Sequence, residues 1–194
     1  MPRLIDHDAR NDEIAAASFR VLEREGLTGL SVRKVAEEAG IAAASLRRAF
    51  PTQDALRQFC FERIRVAVAT RLNAVTGDAR ERALQALKEF LPLDDPRRTE
   101  LVVQLQLSRL AAGDDAMRVN AEDLHDGVGG VCAALLDDLF EAGLLATDID
   151  LDLEAVRLHA LLDGLALHLL WNVSGDPEDH ADRVLARHLD SLAT

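Results

Sequence analysis

Apolar positions recur along most of this chain at intervals of three and four residues, the period of helices with one buried face. From about Asp12 to Glu25 the inward set is Ile14, Ala17, Val21 and Leu22, and Gly26 stops the run. Ser31 is a natural N-cap, after which Val32, Val35, Ala36 and Ala39 keep helical spacing until Gly40. Ile41 turns inward, and a second short helix follows with Leu46, Ala49 and Phe50 as its buried side. Ala36, Gly40 and Leu46 stand in the register of two helices crossing steeply: a small residue at the crossing, glycine at the turn, an aliphatic knob opposite. Residues 31–50 therefore read as a helix-turn-helix.

The same period continues beyond it. Pro51-Thr52 breaks the chain, and Thr52 caps a long helix to about Thr76 with Leu56, Phe59, Cys60, Ile64, Ala67 and Leu72 in line. Further helices are expected from Gly77-Asp78 to Phe90, from Pro96 to Ala112 and from Ala116 to Ala142. In the last of these Leu124, Val128, Val131, Leu135 and Leu139 form the stripe. Gly127, Gly129 and Gly130 interrupt it, at roughly 1 kcal/mol each relative to alanine. Close packing or a pocket wall explains them, with a kink as the competing account. Gly143 closes that helix, Asp150 or Asp152 caps one to about Val173, and Gly175-Asp176-Pro177 introduces a last one to about Leu192. The polar residues 1–9 are expected to be mobile. With no strand pattern, repeat or low-complexity tract, the fold class is all-α. The expected division is a helix-turn-helix domain, 1–52, and a helical-bundle domain for ligand binding and dimerisation, 53–194.

The residues that carry a family likeness are Gly26, Leu30, Ser31, Val35, Ala36, Ala39, Gly40, Ile41, Leu46, Phe50, Pro51, Asp54 and Leu56. Together they resemble the DNA-binding signature of the tetracycline-repressor (TetR) family, over roughly residues 10–60. The resemblance implies a regulator whose Thr52 helix joins a DNA head to a ligand-binding body. It departs from the family at Arg47, where tyrosine is usual, and at Gln53, where lysine is usual. Ala42 and Ala44 replace the usual serine and glycine. The missing tyrosine and lysine are phosphate contacts in the family, and Arg47 and Arg48 are the obvious substitutes.

Charge first looks wrong for a DNA binder, at −12 over 194 residues. Through Leu56, however, eight Lys/Arg face nine Asp/Glu, so the head carries −1 and the remainder −11. An acidic body repels DNA away from one small contact face and suppresses loose binding. On the second short helix Ala43, Ala44, Ser45, Arg47 and Arg48 lie outside the buried line. Arginine reads guanine bidentately in the major groove, and small apolar side chains meet thymine methyls. Ser31 and Arg33 suit phosphate, as does the helix start at Thr52 and Gln53. The bland alternative is an ordinary solvated surface.

Three further groups complete the expectations. Phe59, Phe90, Leu101, Leu105, Met117, Leu124 and Val128 are candidate apolar lining for an effector site, with Gln104 and His125 as its polar groups. Lacking an arginine cluster for phosphate, such a site calls for a largely apolar small molecule. His159 and Asp163 are four apart and can pair on one face, as a core or interface hydrogen bond or as pocket lining. With no HxxxH or carboxylate cluster beside them, neither a metal nor a cofactor is expected. Leu158, Leu161, Leu162, Leu165, Leu169 and Trp171 make one helix apolar around most of its circumference, and Val184, Leu185, Leu189 and Leu192 stripe the next. Such helices need cover on both sides, by the chain's own body and by a second copy, or wholly within one chain.

Cys60 and Cys132 lack metal or redox spacing and read as buried free thiols of a reducing cytoplasm. No secretory leader or membrane span is expected, because the most apolar stretch, Ala160 to Trp171, is short and contains Asp163 and His168. The expected protein is a cytoplasmic regulator that binds a double-stranded operator as a homodimer, a repressor released by its effector. The alternative is an acidic helical small-molecule-binding or interaction protein that has lost DNA binding. An enzyme has no motif behind it.

Overall fold

The computed structural model describes residues 7–171 and 175–193, and every regular element among them is α-helical. In order these are α1 (His7–Gly29), α2 (Val32–Glu38), α3 (Ala43–Ala49), α4 (Gln53–Asn73), α5 (Ala79–Lys88), α6 (Asp95–Ala111), α7 (Asp115–Glu141), α8 (Leu151–Trp171) and α9 (Pro177–Leu192). Residues 1–6 and the expected end of α8 near Val173 lie outside the described residues. No helix is long and apolar enough to cross a membrane among the described residues.

Local chemistry places the boundaries. Asp78 and Glu81 form a reciprocal capping box at the start of α5. Asp150 accepts from the Leu153 amide 3.1 Å away, and Asp176 with Pro177 starts α9. α1 bends at Gly26, where the backbone leaves helical geometry, so the expected stop there is real although the helical turns resume to Gly29.

The chain forms two compact units, residues 1–67 with 102–120, and residues 68–101 with 121–194. This division differs from the expected border at 52/53. The reason is burial along the first turns of α4, where Leu56, Cys60, Phe61 and Ile64 all join a core. In the first unit Gln106 of α6 also accepts a hydrogen bond from the Leu27 amide, at the bend of α1.

The second unit is held by a leucine core. Leu87, Leu91, Cys132, Leu136, Leu158, Ala181 and Leu185 are its most deeply buried members. Each such leucine contributes about 1.5–3 kcal/mol relative to exposure. The stripe on α7 runs through Cys132, Leu136 and Leu139, while Leu124, Val128, Val131 and Leu135 are only half-buried. α7 runs as one helix through its glycines. Gly127 and Gly130 face open space, and Gly129 alone of the three meets another helix.

Candidate nucleic-acid interface

The turn between α2 and α3 follows from one backbone requirement. Gly40 has φ +66°, a region where a side chain is strained, and its own surroundings are empty. The Gly40 amide donates to Glu37 at 3.2 Å and the Ile41 amide to Ala36 at 2.9 Å. That pair of bonds is the Schellman ending, which satisfies the last carbonyls of α2 and reverses the chain into α3. Ser31 caps α2, its hydroxyl accepting from the Lys34 amide at 3.4 Å. Val35, Ala36 and Leu46 are buried between the helices, as their spacing requires. Ala49, expected on the buried side, is exposed, and Phe50 is half-buried with its ring 5.0 Å from that of Phe59.

Ion pairs then fasten α2 to α1. Arg20 and Arg24 both donate to Glu38, at 2.6 and 2.9 Å, and Lys34 pairs with Glu25. The bonds from Arg20 and then Arg24 hold the Glu38 carboxyl below the usual carboxylate range. Three of the head's cations are thus committed to the fold. Arg33, Arg47 and Arg48 are exposed and make no bond or ion pair with any described residue. Ala44 is exposed beside them, and Ala43 and Ser45 are half-buried.

Two side chains differ from their expected use. Gln53 donates to the Leu30 carbonyl at 2.6 Å, so its amide ties the start of α4 to the end of α1 and is not free for phosphate. Its short side chain meets an unsatisfied carbonyl before it can reach outward. Thr52 accepts from the Ala55 amide at 3.1 Å, the expected capping role. Arg10, which sequence patterning did not single out, donates to the Ser45 hydroxyl at 2.6 Å and so stands at α3. Only its basic character in a polar lead-in could have marked it.

A family model for the bacterial regulatory proteins of the tetR family matches residues 14–58, and one for the C-terminal region of BetI-type transcriptional repressors matches residues 79–194. The chain belongs to the TetR family. It is a DNA-binding transcriptional repressor, and its family is one of regulators and not of enzymes. It is similar to the HTH-type transcriptional regulator PksA of Bacillus subtilis (strain 168), at 34% identity over 99% of this chain and 94% of that protein. Among solved structures it resembles a transcriptional regulator from Rhodococcus sp. Rha1, with 26% identity, TM-score 0.76, and 94% and 95% of the two chains covered. A regulator from Saccharomonospora viridis, solved in complex with choline, shares the fold at 24% identity and TM-score 0.77, with 94% and 96% covered. The TetR assignment favours the DNA-binding account over an acidic protein that has lost DNA binding.

The expected effector residues of this TetR protein are divided between the two units. Phe59, Gln104, Leu105 and Met117 lie in the first, and Phe90, Leu101, Leu124, His125 and Val128 in the second. Met117 and Leu101 are buried, Leu105 and His125 are exposed, and the other five are half-buried. A cavity of about 370 Å³ in the second unit is lined by none of them. Its wall includes Arg71, Lys88, Glu89, Arg97 and Glu178. Those cations are already paired: Arg71 with Glu89 at 2.8 Å and Glu100 at 2.7 Å, Arg97 with Asp94 at 3.0 Å, and Lys88 with Asp182 at 2.9 Å.

The expected interface residues also need correction. Leu158, Leu162, Leu165, Leu169, Leu185 and Leu189 are buried in the chain's own core, which leaves them no surface to offer a second copy. Leu161 and Val184 are half-buried. The outward face of α8 carries Leu153, Val156, Leu167 and Trp171 instead, with Val156 67% and Trp171 80% exposed. Both cysteines are buried free thiols: burial pushes Cys60 up to about 12, and burial and then the Asp163 charge push Cys132 to about 11. His159 and Asp163 do face each other, with Nε2 and Oδ2 3.8 Å apart. Sequence spacing did not reveal that His125 of α7 joins them, its ring centroid 4.5 Å from that of His159.

Proposed function

We propose that this repressor acts as a homodimer that seats α3 of each copy in successive major grooves of a roughly palindromic operator, and that a small molecule releases it. The observation that carries this is the contrast in the head between committed and uncommitted cations. Arg33, Arg47 and Arg48 remain free while Arg20, Arg24 and Lys34 are paired. Ala43, Ala44 and Ser45 keep α3 slim enough for close approach, and Arg10 adds charge at its side. Ser31 and the start of α4 at Thr52 and Gln53 offer backbone N–H groups to phosphates.

Selection of bound sequences from a random DNA library, followed by a salt titration of the winner, tests the operator. A two-fold protein selects half-sites about one helical turn apart. The affinity falls with salt at a slope of about −0.9 per phosphate contacted. A non-palindromic winner or a flat salt response would sink the model.

The dimer rests on the outward stripe of α8, because a large apolar side chain as exposed as Trp171 needs cover. Val156→Glu, at an exposed site, should yield monomers in sedimentation while leaving the fold intact. A monomeric wild type removes the interface. The effector is a largely apolar molecule with one or two hydrogen-bonding groups, drawn from the family's habit of binding small molecules and the apolar residues along α4 to α7. In a cytoplasmic metabolite screen it should stabilise the protein by about 2.7 kcal/mol at a hundredfold its Kd. It should weaken operator binding by the same factor that the operator weakens its own. Melting-temperature gains only from phosphorylated, polar compounds would contradict an apolar effector.

A further inference from the structure

We propose that His125, His159 and Asp163 form a binding site for a divalent first-row transition-metal ion, with Zn²⁺ as the reference case. One ligand atom from each residue lies within 4.8 Å of the others. The three come from two helices of the same unit, His125 from α7 and the i, i+4 pair His159 and Asp163 from α8.

The central observation is His159. It is only 7% exposed, and its Nε2 is buried without a hydrogen-bond partner. A buried polar atom left unpaired costs free energy, so its environment calls for something to meet the lone pair. Asp163 Oδ2 stands 3.8 Å from that nitrogen, too far for a hydrogen bond. It is not too far for two ligands of one ion. With metal–ligand bonds of about 2.0–2.2 Å, two donors on one tetrahedral ion lie about 3.3–3.6 Å apart, within a few tenths of an ångström of this separation. His125 and Asp163 are exposed, so their side chains can move the ångström or so that closes the set around a fixed His159.

Gly129 supplies the room. A Cβ there would stand 3.3 Å from His159 Nδ1, tighter than ordinary packing, so glycine lets the imidazole sit against α7 one turn beyond His125. The helix gives up propensity at Gly129 in favour of the position of that ring. Two imidazoles and one carboxylate select for zinc and its neighbours over magnesium or calcium, which prefer oxygen ligands. Three protein ligands leave a coordination position for water or an exogenous donor.

The test uses the full-length protein, stripped with a chelator and titrated with Zn²⁺ in competition with a chromophoric chelator. Co²⁺ provides a second readout through its d–d absorption. Wild type should take one ion per chain, and His125→Ala and Asp163→Asn should each weaken binding at least tenfold, since even outer-shell losses cost about 10–100-fold. Both positions are exposed, so the variants should keep the wild-type circular dichroism. Stoichiometric Zn²⁺ should also raise the Tm of wild type and not that of Asp163→Asn. Absence of stoichiometric binding to wild type, or wild-type affinity in both variants, would overturn the site.

Discussion

The two units differ in what positive charge is left over once the fold is fastened. In the second, arginines and lysines act as fasteners: Arg71 grips Glu89 and Glu100, Arg80 reaches Asp190, and Lys88 bridges to Glu178 and Asp182. The first also pairs Arg20, Arg24, Lys34, Arg57 and Arg63 with carboxylates, but the arginines around α3 have no acidic neighbour in contact. An overall −12 therefore conceals a cluster of uncommitted arginines at α3, in contrast to the paired Arg71, Arg80 and Lys88 of the body. Net charge describes solubility and steering; partner choice lies in which charges the fold leaves unpaired.

The sharpest way to break this contrast is to remove the spare charge. The double variant Arg47→Ala, Arg48→Ala should lose roughly 2–6 kcal/mol of operator affinity, at 1–3 for each good contact, with an unchanged Tm. A lowered Tm with intact affinity would show those arginines to be fasteners too. The converse experiment is Arg71→Ala, which leaves two carboxylates without their cation. It should cost roughly 1–3 kcal/mol of stability, between the exposed and buried limits for ion pairs, and should show in denaturant titration.

A smaller effect is expected at Gly40→Ala. The space around Gly40 is open, so the cost is backbone strain alone, about 1–2 kcal/mol. The loss should appear in head stability and carry over to DNA affinity. A neutral result would mean that the turn relaxes to another conformation.

The smallest effect concerns acid. Burial holds His188 below the ordinary histidine value, with Glu154 opposing and Arg157 assisting. The unfolded chain then takes up this proton before the folded one does. The contribution of His188 to stability is complete above about pH 6.5 and is lost as pH falls towards the folded value. His188→Gln should flatten that slope in melts between pH 7 and pH 5. An unaltered slope assigns the acid sensitivity to other groups.

The helix-turn-helix was legible because its determinants are local. Ser31, Gly40 and Leu46 each act within a turn or two of their own position, so spacing alone carries them. The cap residues Asp78, Asp150 and Asp176 were legible for the same reason. The outward direction of α8 was not. An apolar helix shows no preferred face in sequence, and only the packed core shows that Leu158 and Leu165 point in while Val156 and Trp171 point out. His125 and His159 met through packing across 34 positions, which no local spacing rule could register. The bond from Gln53 was not legible, because its partner, the Leu30 carbonyl, belongs to a different helix end.

The bond from the Leu27 amide to Gln106 joins positions 79 residues apart. The helix-turn-helix is synthesised first, yet the acceptor that completes the bend beside it emerges much later. At about 5–20 residues per second, the nascent head waits roughly 4–16 s for that residue. Throughout that interval the amide has only water for a partner. A head excised at residue 52 would lack this acceptor and the buried residues Leu56, Cys60, Phe61 and Ile64 of α4 as well.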